Sequence, residues 1–182
     1  MRKSLITAAV LSVCCAAPAA FAAADSDMGT LIINGEIKGT TCHFVANAQS
    51  AQIQMHQIGL DVVEKLTKGK AYNGYKNETT TPFTVKCSNL LEVPKLKFRS
   101  NEFEGTGVAG VTKNNGTAKG VGYALLINDQ RINIDGKTPI ALTPNDKGNY
   151  TFDIAAQYAR APGDIVSGGT VNSVVTFTVI TD

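Results

Sequence analysis

An excess of charge of one sign is missing from this sequence. Its 182 residues carry 17 Lys and Arg against 15 Asp and Glu. Arg2 and Lys3 sit in an N-terminal leader, so the remainder is balanced and has no basic excess of the kind that nucleic acid demands. Histidine is scarce, with only His43 and His56. Outside the leader there is no second cysteine pair beside Cys42 and Cys87, and only His43 and His56 could join them, so the residues favour a disulfide over a metal site. No G-x-S-x-G elbow occurs. A Ser-His-Asp site assembled in space would leave no local pattern, but nothing singles out a catalytic residue, a cofactor or a metal, and the chain reads as a non-enzyme. No stretch beyond the leader is long and apolar enough to span a bilayer. There is neither an internal repeat nor a linker that would split the domain.

The leader reads as a secretory signal peptide, residues 1–22. Arg2 and Lys3 form its positive start, "LITAAVLSVCCAAPAAFA" its apolar and small-residue stretch, and Ala20-Phe21-Ala22 its cleavage pattern. Cleavage is placed after Ala22, with Ala24 as the next choice. A membrane anchor is the alternative, against which Pro18 and the alanine-rich end both stand. About 160 residues remain, the size of one domain with an adequate core. Cys14 and Cys15 leave with the leader, and two cysteines in an exported protein most simply pair, as Cys42–Cys87. The loop they close is long, and the chain-entropy account gives about 4 kcal/mol as an upper value.

What is present is alternation. "TLIINGEI", "AQIQMHQI", "TPFTVKC", "PKLKFRS", "GVGYALLIND", "TPIALT", "NYTFDIAAQY" and "SVVTFTVIT" recur between Gly, Asn, Asp and Pro punctuation. Their spacing and β-branched content predict an all-β sandwich. "GLDVVEKLTKG" fits a short helical turn or a loop equally well. "FEGTGVAGVTKNNGTAKG" is glycine-rich and polar and reads as a long surface loop. Its Gly105–Gly110 matches G-x-G-x-x-G, but a poor helix follows, so the dinucleotide reading lacks its context. Lys65, Lys68, Lys70 and Lys76 read as a solvated face.

The final strand carries the clearest pattern. Val175, Phe177 and Val179 face one way, with Thr181 completing the row. Near the other end, Gly29, Leu31, Ile33, Gly35 and Ile37 share one side of an extended chain. Two partners are open to this first strand. It pairs with the last strand inside one molecule, or it lies outside its own fold and completes a neighbour by strand addition.

The ordered set of motifs resembles subunits of chaperone–usher fimbriae, the type 1 pilin family, over essentially all of the chain after the leader. "GTLIINGEIKGTTC" is similar to the family's N-terminal pattern of alternating extension, G-x-[IV] step and cysteine. "TPFTVKC" resembles its strand with the second cysteine, and "GVGYALLIND" its GVG strand and turn. "NYTFDIAAQYAR" resembles its apolar strand closed by a tyrosine, here Tyr158. "GGTVNSVVTFTVITD" resembles its C-terminal signature, with Gly169 fourteenth from the end.

The resemblance implies an incomplete immunoglobulin-like sandwich lacking its last strand. A periplasmic chaperone fills the gap first. At an outer-membrane usher, the N-terminal extension of the next subunit replaces the chaperone. It further implies a donor extension at residues 23–37, with Gly29, Leu31, Ile33, Gly35 and Ile37, and a domain at 38–182. Gly169, Val175, Phe177, Val179 and Thr181 would form the acceptor strand. The chain would be exported through the periplasm to a surface fimbrium that contributes to cell adhesion, with neighbouring subunits as partners. One departure is Thr181, which stands where the family usually has a penultimate tyrosine. An adaptor or terminating subunit of such a fimbria is the alternative reading. A self-contained exported carbohydrate-binding sandwich is the more distant one.

Overall fold

The computed structural model describes residues 30–37, 42–45, 50–79, 82–88, 91, 93–105, 110–132, 134, 138–145, 148–163 and 165–181. The leader, its cleavage site, residues 23–29 with Gly29, and the proposed boundary at residues 37 to 38 on its domain side lie outside the described residues.

The strands in chain order are β1 (Thr30–Ile37), β2 (Cys42–Phe44), β3 (Ser50–Gln54), β4 (Asn77–Glu78), β5 (Phe83–Cys87), β6 (Lys95–Phe98), β7 (Val121–Ile127), β8 (Gln130–Arg131), β9 (Ile140–Ala141), β10 (Asn149–Phe152), β11 (Ile154–Arg160) and β12 (Asn172–Ile180). One short helix, α1 (Leu60–Glu64), follows β3, and a single 3₁₀ turn spans Ser100–Glu102. The segment that fitted a helical turn or a loop thus forms a helix of little more than one turn, with only Val63 buried. The all-β expectation holds.

Three sheets form. One runs β3-β1-β12-β6-β9, a second β10-β5-β2, and a third β4-β11-β7-β8. Every pairing is antiparallel except that of β1 with β12, which is parallel. The disulfide Cys42–Cys87 joins β2 to β5 at directly opposed register positions.

The alternating strands each give one row to the core: Phe83 and Val85 of β5, Tyr150 and Phe152 of β10, and Val175, Phe177 and Val179 of β12. Strands β7 and β11 are instead buried along almost their whole length. Their second face carries the small residues Gly122, Ala124, Ala155 and Ala159 beside Leu126 and Gln157, and Ala124 and Ala159 pack with Val111 and Ala161 in a separate small cluster. Gly122 shows why size matters there, since a Cβ on it would stand 2.1 Å from the Thr112 carbonyl oxygen. The hairpin from β7 to β8 turns at Asn128 and Asp129. Both have positive φ, 47° and 67°, the conformation that Asn and Asp tolerate best after glycine.

One expectation needs correction. The segment from Phe103 to Gly120 is not a surface loop where it is described. Phe103, Val111, Thr112 and Ala118 are buried, and isolated bridges tie Phe103 to Thr112, Val111 to Ala124 and Lys119 to Ser167. The segment covers one face of β7, where Gly122 leaves room for the Thr112 carbonyl.

The edge of β12 that the resemblance reserves for a donated strand is taken here by β1 of the same chain, between β3 and β12. An unpaired strand edge leaves backbone donors and acceptors unsatisfied. In the single chain, the alternating N-terminal segment satisfies that edge.

Candidate strand-complementation site

Strand β12 is the floor of the site. Val175, Phe177 and Val179 are fully buried, while Val174, just before them and of opposite parity, is 39% exposed. Phe177 is the centre of an aromatic cluster. Its ring lies 5.2 Å from Phe83, 5.4 Å from Phe98, 5.9 Å from Phe44 and 6.2 Å from Phe152, centroid to centroid. Most of these pairs are tilted or edge-on, the arrangement that ring quadrupoles favour.

One edge of β12 is closed by β6, with Phe177 opposite Phe98 and Val179 opposite Leu96. Farther along, the Arg99 amide donates to the Thr176 carbonyl at 3.0 Å, and the Thr176 amide donates to the Glu102 carboxylate. The other edge is closed by β1 over eight positions, from Thr30 beside Asn172 to Ile37 beside Val179. Leu31 stands beside Ser173, Ile33 beside Val175, and Gly35 beside Phe177. Register neighbours in a sheet share a face. The four described donor positions therefore fall on the side of the buried β12 row. Ile32, of opposite parity, is 36% exposed next to Val174. On its far side β1 runs antiparallel to β3, with Leu31 opposite Ile53 and Ile33 opposite Ala51.

The start of β12 is held by residues the sequence did not single out. Asn114 accepts from the Gly116 and Asn172 amides, each at 2.8 Å, and its amide group donates to the Ala118 and Thr170 carbonyls. Thr117 and Thr170 exchange side-chain and backbone hydrogen bonds at 2.9–3.2 Å. The sequence signal was the Asn-Asn-Gly-Thr turn signature at 114–117, which places such residues in a turn but not against a strand 55 residues away.

Gly169 fits here for two reasons. Its φ is +144°, and a Cβ would lie 2.5 Å from the Thr117 hydroxyl and 2.7 Å from the Ala118 nitrogen. Deeper in, the buried Thr112 hydroxyl lies 2.8 Å from the Ser173 hydroxyl and accepts from the Tyr123 amide at 2.9 Å. The Tyr123 hydroxyl donates to the Val171 carbonyl at 2.9 Å, and its ring packs 5.2 Å from that of Tyr158. Burial, followed by the neighbouring Tyr158, pushes the Tyr123 hydroxyl well above the usual tyrosine range.

A cleft of about 280 Å³ opens at this end of β12, lined among others by Leu60, Val63, Val121, Tyr158 and Val171. It lies just ahead of the first described residue of β1. At the opposite end, Thr181 is half-buried and outside the strand.

The remaining sequence features gather no chemistry. His43 is exposed on β2, and exposed His56 stacks edge-on against Tyr75. Lys76 bonds to Glu78 at 2.8 Å and to Asp129. Among the described residues, no group of three His, Cys, Asp or Glu side chains is placed to hold a metal, and no helix is long and apolar enough to cross a membrane.

No protein-family model matches the chain. It is 28% identical over 184 residues to "Uncharacterized fimbrial-like protein YehD" of Escherichia coli (strain K12), and the alignment covers all of both proteins. Among solved structures it is similar to the CupB6 tip adhesin from Pseudomonas aeruginosa, at 15% identity and a TM-score of 0.47. That similarity covers 82% of this chain but only 39% of the adhesin. The resemblance carried by the motifs is therefore borne out at the level of sequence: the chain is a relative, from end to end, of a fimbrial-like protein.

Proposed function

We propose that the chain is a structural subunit of a bacterial surface fimbria. In this reading it is exported through the periplasm and assembled by the chaperone–usher route. Residues 23–37 are the strand it gives to a neighbour, and residues 38–182 are the domain that receives one. The carrying observation is the fit between β1 and the edge of β12 opposite β6, eight register pairs long with apolar positions on the side of the buried row. One chain thus holds both halves of a joint. Identical chains that join through two different surfaces make an open filament whenever the rotation between neighbours does not close a ring. The end-to-end fimbrial-like relative supports the same reading.

The energetics are adequate. Leu31, Ile33 and Ile37 would each contribute about 1.5–3 kcal/mol if fully buried in a neighbour. Ordering the extension offsets part of that. Specificity would come from the main-chain bonds and the alternation of side chains along the added strand. Gly169, Val175, Phe177 and Val179 form the acceptor, with Thr181 at its end. The partners are a periplasmic chaperone, the usher and neighbouring subunits.

Fibres sheared from the cell surface and run on a denaturing gel without boiling are expected to give a ladder that collapses to one band on boiling. A chain lacking residues 23–37 is expected to bind the chaperone and fail to extend a fibre. A single band before boiling, or normal assembly of the shortened chain, overturns the donor role.

A further inference from the structure

We infer that β1, seated against its own β12, is a plug that holds the unassembled subunit closed and must leave before another polypeptide's strand can enter. The inference rests on the donor-strand reading and adds a regulated step to it.

The sheet order carries it. Strand β1 is the sole sheet neighbour of β3 and is bonded to β12 on its other side. Lifting it out opens two edges at once, separated by the width of one strand. That gap is the only described place where an incoming strand could pair on both sides, and the chain's own segment fills it. The same eight residues cannot be both plug and donor. A seated subunit therefore neither gives a strand nor receives one, and release of β1 frees both functions together.

The seat is also marginal in ways that suit a removable element. Position 35 contributes no side chain beside Phe177. Ile32 on the outer face is 36% exposed.

Strand uptake by the processed, full-length chain tests this, with a fluorescent peptide of residues 29–37 as the probe. Two variants bracket the wild type. Ile33→Asp places a charge on the buried side of the plug and ejects it, leaving the acceptor untouched. Ile32→Cys with Val174→Cys links two adjacent, exposed positions and locks the plug when oxidised. Neither residue belongs to the buried row.

The expected result is uptake at least tenfold faster in Ile33→Asp than in wild type. The oxidised double-cysteine chain should be at least tenfold slower than the same chain reduced, with the new disulfide mapped within one molecule. Equal uptake in all forms overturns the plug and leaves the donor-strand reading standing. A new disulfide that forms only between molecules overturns the plug as well. No uptake by any form, Ile33→Asp included, overturns the donor-strand reading and the plug with it.

Discussion

Gly35 of β1 lies directly beside Phe177 of β12 in a parallel register, so the one position in the seated strand without a side chain meets the most crowded ring in the core. Phe177 is fully buried and packs against four other phenylalanines. The floor of the strand site is thereby also the centre of the hydrophobic core, and the integrity of the two is shared.

Phe177→Ala removes this centre and leaves a cavity among rings that cannot all collapse into it. The expected loss is about 3–5 kcal/mol, measured by urea unfolding of the oxidised chain. A loss below about 1 kcal/mol would mean that the ring is not the packing centre.

Replacing Cys42 and Cys87 by Ser removes the covalent link between the paired strands β2 and β5 and frees a loop of sequence separation 45. A loss of about 2–5 kcal/mol and a lower yield of exported protein are expected. Equal midpoints for the variant and the parent would show that the bond is dispensable.

Thr112→Val keeps shape and removes one hydroxyl. The Ser173 hydroxyl donates to the Lys113 carbonyl at 2.7 Å, so its one proton is used. Thr112 must then donate to Ser173 while accepting from the Tyr123 amide. The substitution leaves a buried amide without its acceptor and a buried hydroxyl without its donor, and about 1–3 kcal/mol is expected to be lost. Hydrogen exchange at the Tyr123 amide should rise with it.

Gly169→Ala forces a side chain into a positive-φ position within 2.5 Å of the Thr117 hydroxyl. The expected cost is about 1–3 kcal/mol. Because Thr117 and Thr170 are bonded there, the first residues of β12 should lose protection in hydrogen exchange before the centre does.

Tyr123 predicts an alkaline limit. Its hydroxyl is raised above the ordinary value of 10.0 by burial and by Tyr158. A raised folded value means that the unfolded chain loses its proton first as pH increases. Stability is therefore fully present below about pH 10 and falls above it. Tyr123→Phe is expected to cost about 1 kcal/mol at pH 7 through the lost bond to the Val171 carbonyl, and to flatten the decline above pH 10. An unchanged slope between pH 9.5 and 11 in unfolding titrations would assign the limit to other groups.

The alternating strands were legible because a period of two survives in any window of eight residues. "SVVTFTVIT" showed its buried row before any neighbour was known, and the two cysteines remaining after export left one pairing. The segment from Phe103 to Gly120 was misread because its burial has no period. Thr112 looks solvent-loving in isolation and is buried only because Ser173, 61 residues on, and the Tyr123 amide satisfy it. Asn114 and Thr170 are likewise invisible as a pair, since a turn signature names a conformation and not the strand it will hold.

The sequence by itself determined that apolar-faced strands stand around residues 29–37 and 173–181, and it pointed to one disulfide between Cys42 and Cys87. Tertiary structure alone decided that β1 lies between β3 and β12 of its own chain, parallel to the latter. Alternation specifies which face of a strand must leave water. The direction it runs, and whose edge it closes, depend on main-chain hydrogen bonds that any strand of the right length can make.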